Sequence, residues 1–531
     1  MVYRMTIRVW LVVAVLLIAP SIALALPDQT GESSYTLKLE PFAEHTGTNA
    51  MDVTHAGDGS GRVFVSTQSG QVFVYDADGN SLGVFLDLTV ADDNFRFNPE
   101  NKTYPFRGLM YIAFHPDYAK SGEPGFGRFY TAHQVVVSEA EVDFDAKDFG
   151  AIGDSDKRFV LAEWRVDSEN PDRIDPASYR PVMSLNFHTY SSNPHGLGEI
   201  AFNPFAKPGE TDYGKLYLSV GDSHNGDYNK PHNLARAQQT DNPFAKILRI
   251  DPLAADDKPY SIPEDNPFSN EDYATGLRDG QWFSFAKDLD EETVLIACDI
   301  GALSVEEINV IRSGANYGWD RFEGTEDFNT DRQLTGQARP PVVQYGRFFP
   351  KQPGGESTNA GLVAIMGGLV VSDPDDPSFK GQILFGDLPS GALMHANYHH
   401  ALTMEKAGRQ SIPYVMNVTL GDKTGSLADV LGTKRGDARY GFDEANNVYL
   451  ISKRTGTIFK TGLVFTGRPV ESDPSVSKPG VINNTMGLLI TIGCVAVLLL
   501  IILLLVCIKT KSNFSEQKAI AANDGEQDVN L

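Results

Sequence analysis

Cysteine is nearly missing from this 531-residue chain, which has three. Two of them, Cys494 and Cys507, fall inside one apolar run near the C-terminus. Cys298 is therefore alone in the remainder, which excludes an internal disulfide and leaves the fold to be held by its own buried core. No Cys-x-x-Cys-His occurs, so the chain carries no c-type haem of its own. Basic charge is also short: 45 Lys and Arg stand against 69 Asp and Glu, a formal net charge of −24. That balance argues against a nucleic-acid partner and against lying flat on an anionic membrane. Helical periodicity is scarce as well. His188, His195, His224 and His232 crowd one region, but their irregular spacing is not a zinc pattern.

Long apolar runs occur only at the two ends. Arg4 and Arg8 precede an apolar stretch and a small-x-small site, Ala23-Leu24-Ala25, which predicts a secretory signal over residues 1–25. Residues 486–508 are apolar throughout, and about 20 such residues cross a bilayer. Lys509 and Lys511 follow at once, and positive flanks stay cytoplasmic. The expected topology is a single-pass type I membrane protein anchored by its own helix. A Ser-, Pro- and Asn-rich stalk spans 467–485, a polar tail spans 509–531, and the folded part lies outside the cytoplasm. Asn101, Asn417 and Asn483 begin Asn-x-Thr glycosylation sequons on the exported side.

Between these ends the chain repeats itself. The unit is a short apolar strand, an acidic or Pro-Gly turn, then Gly-x-apolar-aromatic-apolar-Ser/Thr. It appears as MDVTHAGDGSGRVFVS from Met51 and as MYIAFHPDYAKSGEPGFGRFYTA from Met110. GEIAFNPFAKPGETDYGKLYLSVGD from Gly198 is a third copy, and QWFSFAKDLDEETVLIACD from Gln281 a looser fourth. GGLVVSDPDDPSFKGQILFGD from Gly367 and DARYGFDEANNVYLIS from Asp437 complete the set. Copies roughly 60–90 residues apart suit blades around an axis, so residues 36–466 are expected to form an all-β, six-bladed β-propeller. The long gaps, 143–175 and 320–359, are expected as loops on the faces of the ring.

Inner strands of a propeller aim their ends at the axis, where ligands bind. The equivalent positions are Pro194-His195-Gly196, Gly221-Asp222, the run Gly276 to Gln281, Asp299 to Asn309, Asp387 to Gly391 and Lys434 to Arg439. His195 is a candidate general base, because histidine titrates closest to neutral pH. It is equally open to reading as a loop histidine bonded to a carbonyl. Asp222 reads as a turn-former or a ligand, and Glu306-Glu307 as solvated charge or a cation site.

The runs FHPDYAKSGEPGFGRFYTAH, HGLGEIAFNP, GKLYLSVGD, AKILRIDP, GLRDGQWFSFA and EEINVIRSGANYGW together resemble the glucose/sorbosone dehydrogenase family over about residues 40–462. That resemblance implies a six-bladed propeller that oxidises aldoses with pyrroloquinoline quinone (PQQ) and calcium. It implies His195 as the base that takes the proton from the sugar hydroxyl, and Arg278 near the quinone. Asp279 stands where the family has Asn, and Lys434 and Arg435 stand in its Arg-x-Arg-Asp segment. The resemblance also implies calcium on the carbonyls of Gly301 and Ala302, with Glu306, Glu307, Tyr317 and Asp327 in the calcium-rich segment.

Besides Asp279, the chain departs from the family pattern at three further places. Pro389 lies where a lysine pairs with a PQQ carboxylate, Gly436 replaces the second arginine, and Phe106 stands where a sugar-contacting glutamine is found. Two functions follow. One is a membrane-tethered oxidoreductase acting on an aldose or related sugar alcohol and passing electrons to a separate acceptor. The other is a propeller without the cofactor that binds a glycan or a protein ligand.

Overall fold

The computed structural model describes residues 30–466, apart from 45–48, 99–105, 139–140, 152–154, 189–194, 225–234, 254–257, 348–363 and 372–376. The expected signal (1–25), stalk, span (486–508) and tail lie outside these residues. Among the described residues no helix is long and apolar enough to cross a membrane.

Short apolar runs punctuated by Gly, Asn and Asp fold as antiparallel meanders, since each turn returns the chain beside the strand it left. Ala50–Thr54, Val63–Thr67, Gln71–Tyr75 and Ser81–Asp87 make one four-stranded sheet. Leu197–Phe202, Leu216–Val220, Lys246–Ile250 and Asp272–Thr275 make another. Trp282–Lys287, Thr293–Asp299, Val305–Ile311 and Val343–Gly346 make a third. A five-stranded sheet is built on Leu109–Phe114, Arg128–Val135, Ser155–Val166 and Ile174–His188.

A nine-stranded sheet joins two further meanders, which begin at Ile365–Val370 and Ala438–Phe442. The N-terminal strand Gly31–Glu44 makes the junction. It runs antiparallel to Thr457–Phe465 and parallel to Tyr414–Leu420. The architecture is all-β and propeller-like. The first strands of the meanders pack side by side in sequence order, and Ala438–Phe442 returns to pack on Ala50–Thr54.

The gap 143–175 is not a loop. It contains Ser155–Val166, whose Phe159, Leu161 and Trp164 are wholly buried. An apolar run of this kind must be covered, and the sheet edge formed by Arg128–Val135 supplies the cover. The gap 320–359 likewise holds a two-stranded hairpin, Phe322–Glu323 with Glu326–Asp327, and the edge strand Val343–Gly346.

One backbone hydrogen bond recurs from meander to meander and defines a common rim. A residue at or just past the end of the second strand donates to a carbonyl one to three residues before the first. The bonds are Gln68 N to Asn49 O (2.9 Å), Gln134 N to Gly108 O (3.0 Å) and Gly221 N to Gly196 O (2.9 Å). Ile300 N to Asp279 O (3.4 Å), Leu388 N to Ala364 O (2.9 Å) and Lys453 N to Asp437 O (3.2 Å) continue the series. Further bonds stitch neighbours along the same rim, among them Asn49 N to Lys453 O (3.0 Å), Asp222 N to Arg278 O (2.8 Å) and Asp437 N to Leu388 O (3.0 Å). The segments flanking these bonds are therefore brought to one end of the ring.

Candidate active site

His195 stands two residues before the strand Leu197–Phe202, and Asp222 two residues after its neighbour Leu216–Val220. Gly221 has no room for a side chain, because a Cβ there would meet the Cβ of His195 at 2.6 Å. This close approach brings His195 Nδ1 to 2.6 Å from Asp222 Oδ1. The other carboxylate oxygen accepts from Trp319 Nε1 at 2.9 Å, and the backbone N–H of His224 donates to Oδ1 at 2.9 Å. Asp222 is wholly buried. Burial alone would raise its carboxyl. The charge and hydrogen bond of His195, with His224 and Arg278 nearby, outweigh burial and hold Asp222 far below the usual carboxylate range. An ionised Asp222 accepts the Nδ1 proton of His195, which leaves Nε2 as the basic nitrogen. That atom lies 3.9 Å from Asp279 Oδ2.

Arg278 is buried beside this pair. Its Nη1 donates to the carbonyls of Ile300 (2.6 Å) and Gly301 (2.8 Å), and its guanidinium lies 5.7 Å from the centre of the Trp319 ring. Its backbone N–H and that of Asp279 are both held by the Asp299 carboxylate, at 2.8 and 2.7 Å. The segment Arg278-Asp279 is thus fixed by main-chain bonds, and Asp279 also accepts from Gln281 Nε2 at 2.9 Å.

Three further cations share this rim, and repeat arithmetic could have found two of them. Arg107 precedes Leu109–Phe114 by two residues, as His195 precedes its own strand. Lys453 follows Val448–Ser452 directly. Arg439 lies inside Ala438–Phe442 and is buried. Burial first, and then repulsion from Arg439 and Arg107 against the pull of Asp437, pushes the Lys453 ammonium down to about 7. Burial also lowers Arg107, against the pull of Asp279 and Tyr111 and with the push of Arg439. Like charges held in one desolvated space suit an anion among them.

The remaining expected residues divide. Lys434 is exposed, and Arg435 pairs with Asp437, its Nη2 2.9 Å from the carboxylate. Neither is drawn into the group around His195. Tyr317 is a core residue: its hydroxyl donates to Val310 O (2.7 Å) and accepts from Arg312 N (2.9 Å). Asp327 sits exposed on the hairpin, paired with Arg321. Glu307 accepts from Gly324 N and from Asn309 Nδ2, and Ala302 packs near Trp319 and Phe328. Only Gly301 and Glu306 of that set meet, and Arg347 meets both. Among the described residues no three His, Cys, Asp or Glu side chains form a metal-binding group.

A divalent cation does not fit the Gly301 carbonyl, which already accepts from Arg278 and Arg347. A polycarboxylate does fit the cations of the rim.

A propeller-like ring with a buried His–Asp pair and basic residues at one end is the class of protein these features define. The chain belongs to the glucose/sorbosone dehydrogenase family, whose model matches residues 48–415. It is 27% identical over 369 residues to the HIPL1 protein of Arabidopsis thaliana, covering 62% of this chain and 50% of that protein. It is 26% identical over 240 residues to the Hedgehog-interacting protein of Mus musculus, covering 43% of this chain and 29% of that one. The chain spans about half the length, or less, of these curated relatives. In fold it is similar to the soluble aldose sugar dehydrogenase of Escherichia coli, with a TM-score of 0.51, 15% identity and coverage of 80% and 99%.

Proposed function

We propose that this chain is an exported, membrane-tethered, six-bladed propeller that oxidises an aldose or related sugar alcohol at its rim and passes the electrons to a separate acceptor. The blade count takes the nine-stranded sheet as two blades sharing the strand Gly31–Glu44. The observation that carries the reading is the relay from Trp319 through Asp222 to His195, which leaves a buried basic nitrogen at the ligand end of the ring. His195 Nε2 is the atom that accepts the proton of the sugar hydroxyl, and Asp222 stabilises the imidazolium that results. Arg107, Arg278, Arg439 and Lys453 are the residues that would hold the carboxylates of PQQ. When bound, that group supplies an electrophilic quinone that takes up the two electrons. His195→Ala should lower turnover by about 10²–10⁴ while leaving quinone binding intact, and loss of both together would sink the assignment of His195 as base.

A second reading is favoured by two observations. The Gly301 carbonyl carries two guanidiniums, and the relatives include a protein named for interacting with Hedgehog. On that reading the rim binds a glycan or a protein ligand and performs no chemistry.

A further inference from the structure

Between the strands Thr293–Asp299 and Val305–Ile311 the chain makes a tight loop whose geometry is fully specified. Glu323 Oε1 accepts the N–H groups of Leu303 (2.8 Å), Ser304 (2.8 Å) and Val305 (3.1 Å). Gly301 is pressed against the same loop, and a Cβ there would meet Val305 O at 1.6 Å and Glu323 Oε1 at 2.7 Å. Its N–H donates to Glu306 Oε2 at 3.3 Å. With both sides of the residue pinned, the direction of the Gly301 carbonyl is fixed.

Glu306 is wholly buried, and both its oxygens are engaged. Oε2 also accepts from Ile365 N at 3.0 Å, and Oε1 accepts from Arg347 Nη1 at 2.5 Å. The same Arg347 nitrogen donates to Gly301 O, where Arg278 Nη1 arrives at 2.8 Å. A carbonyl oxygen has two lone pairs, and here both are used. The arrangement is a buried carboxylate and a fixed carbonyl sharing one cation, and that cation belongs to the chain.

We infer that the Arg347 guanidinium, with Arg278 beside it, fills the place of a divalent cation on the Gly301 carbonyl, so that this propeller is indifferent to calcium. A calcium ion takes six to eight oxygens at about 2.3–2.6 Å. Here it would have to displace two guanidiniums from one carbonyl oxygen, one of which also holds Glu306 Oε1, and it would sit beside the positive charges it displaced. Arg347 balances Glu306 without metal, and it does so as a bifurcated donor, which the compact ammonium of a lysine does less well. The inference concerns the floor of the rim alone and holds whichever ligand the rim takes.

The test uses the full chain in detergent, with calcium chloride and a chelator as the two conditions and Tb³⁺ luminescence as a direct probe of cation binding. For the natural chain the melting temperature should agree within about 1 °C between millimolar calcium and chelator, with no saturable Tb³⁺ signal near the site. Arg347→Ser removes its guanidinium, freeing Glu306 Oε1 and one of the two lone pairs of the Gly301 carbonyl, while Arg278 stays on the other. It should melt lower in chelator, recover several degrees in calcium, and give saturable Tb³⁺ luminescence that Glu306→Gln removes. If Arg347→Ser is too unstable to purify, Arg347→Gln, neutral and closer in size, should show the same recovery in calcium. Saturable binding by the natural chain, lost in Glu306→Gln, would overturn the inference. So would an Arg347 variant that folds and still ignores calcium, because the guanidinium would then not be what occupies the cation's place.

Discussion

Trp319 Nε1 donates to Asp222 Oδ2 at 2.9 Å, joining residues 97 apart in sequence on the far side of the carboxylate from His195. The bond fixes the carboxylate plane and therefore the plane of the imidazole. Asp222→Asn keeps the shape but loses the ionised acceptor that selects the Nδ1–H tautomer. Turnover should fall by about 10²–10⁴, the range for loss of a general base, and His195→Ala should fall as far. Trp319→Phe removes one hydrogen bond to a charged group, worth about 1.5–3 kcal/mol. The Asp222 carboxyl should then titrate higher, and the acid limb of the pH–rate profile should move up with it. Steady-state kinetics of the three variants across pH check the set; an Asp222→Asn enzyme with unchanged turnover would contradict it.

The anion site should show its own proton linkage. Lys453 is held down at about 7, so near neutral pH a good part of the free protein carries a neutral amine there. An anion pairs with the ammonium, and binding therefore takes up a proton. Affinity should rise as pH falls toward about 6 and weaken by up to about tenfold per unit above 7. Lys453→Arg should bind well with no such dependence, and Lys453→Met should bind weakly with none. Calorimetry in buffers of different ionisation enthalpy measures the proton taken up.

Much of this was legible in the sequence, for identifiable reasons. The apolar runs of the copy that begins at Gly198 fall in the strands Leu197–Phe202 and Leu216–Val220, and AKILRI falls in Lys246–Ile250. Apolar runs between Gly and Asp turns leave little freedom. His195, Asp222, Arg278 and Asp279 could be placed at one end because they flank equivalent strands. The strand Gly31–Glu44 could not, since it belongs to no repeat and finds its partners at Tyr414–Leu420 and Thr457–Phe465. Arg347 was invisible for a similar reason, as its partners lie 41 and 46 residues away. Gly436 read as a lost arginine. It is also a contact, for a Cβ there would meet Gly391 Cα at 2.3 Å, so this turn admits no side chain.

Stability toward acid should carry a histidine signature. Burial lowers His395, bonded to Gln382 and Ser33, to about 4. The folded imidazole stays neutral where the unfolded one, near 6.5, takes a proton. Its contribution is full above pH 6.5 and is lost as pH falls toward 4, by up to about 3 kcal/mol. Asp52 works the other way: burial raises it to about 7, so it favours the folded state as pH falls. The effect is therefore read as a difference. Urea unfolding at pH 7 and pH 4.5 should show a smaller loss for His395→Asn than for the natural chain, and equal losses would contradict the assignment.

The topology read from residues 1–25 and 486–508 makes a separate prediction. Protease added outside intact cells should digest the propeller, and an antibody to residues 509–531 should still find a small protected fragment. An uncut full-length band, where other surface proteins are cleaved, would contradict it.

The rim should hold a quinone polycarboxylate beside His195 without calcium. Titrating PQQ into the full chain in detergent, with chelator in one arm and calcium in the other, and following absorbance and heat measures this. PQQ should bind at micromolar or better in both arms. Aldoses should then bleach an artificial electron acceptor with the natural chain and not with His195→Ala. Absence of PQQ binding at tens of micromolar in both arms would contradict the dehydrogenase reading and leave the propeller as a binding module, and binding in the calcium arm alone would contradict the independence from calcium.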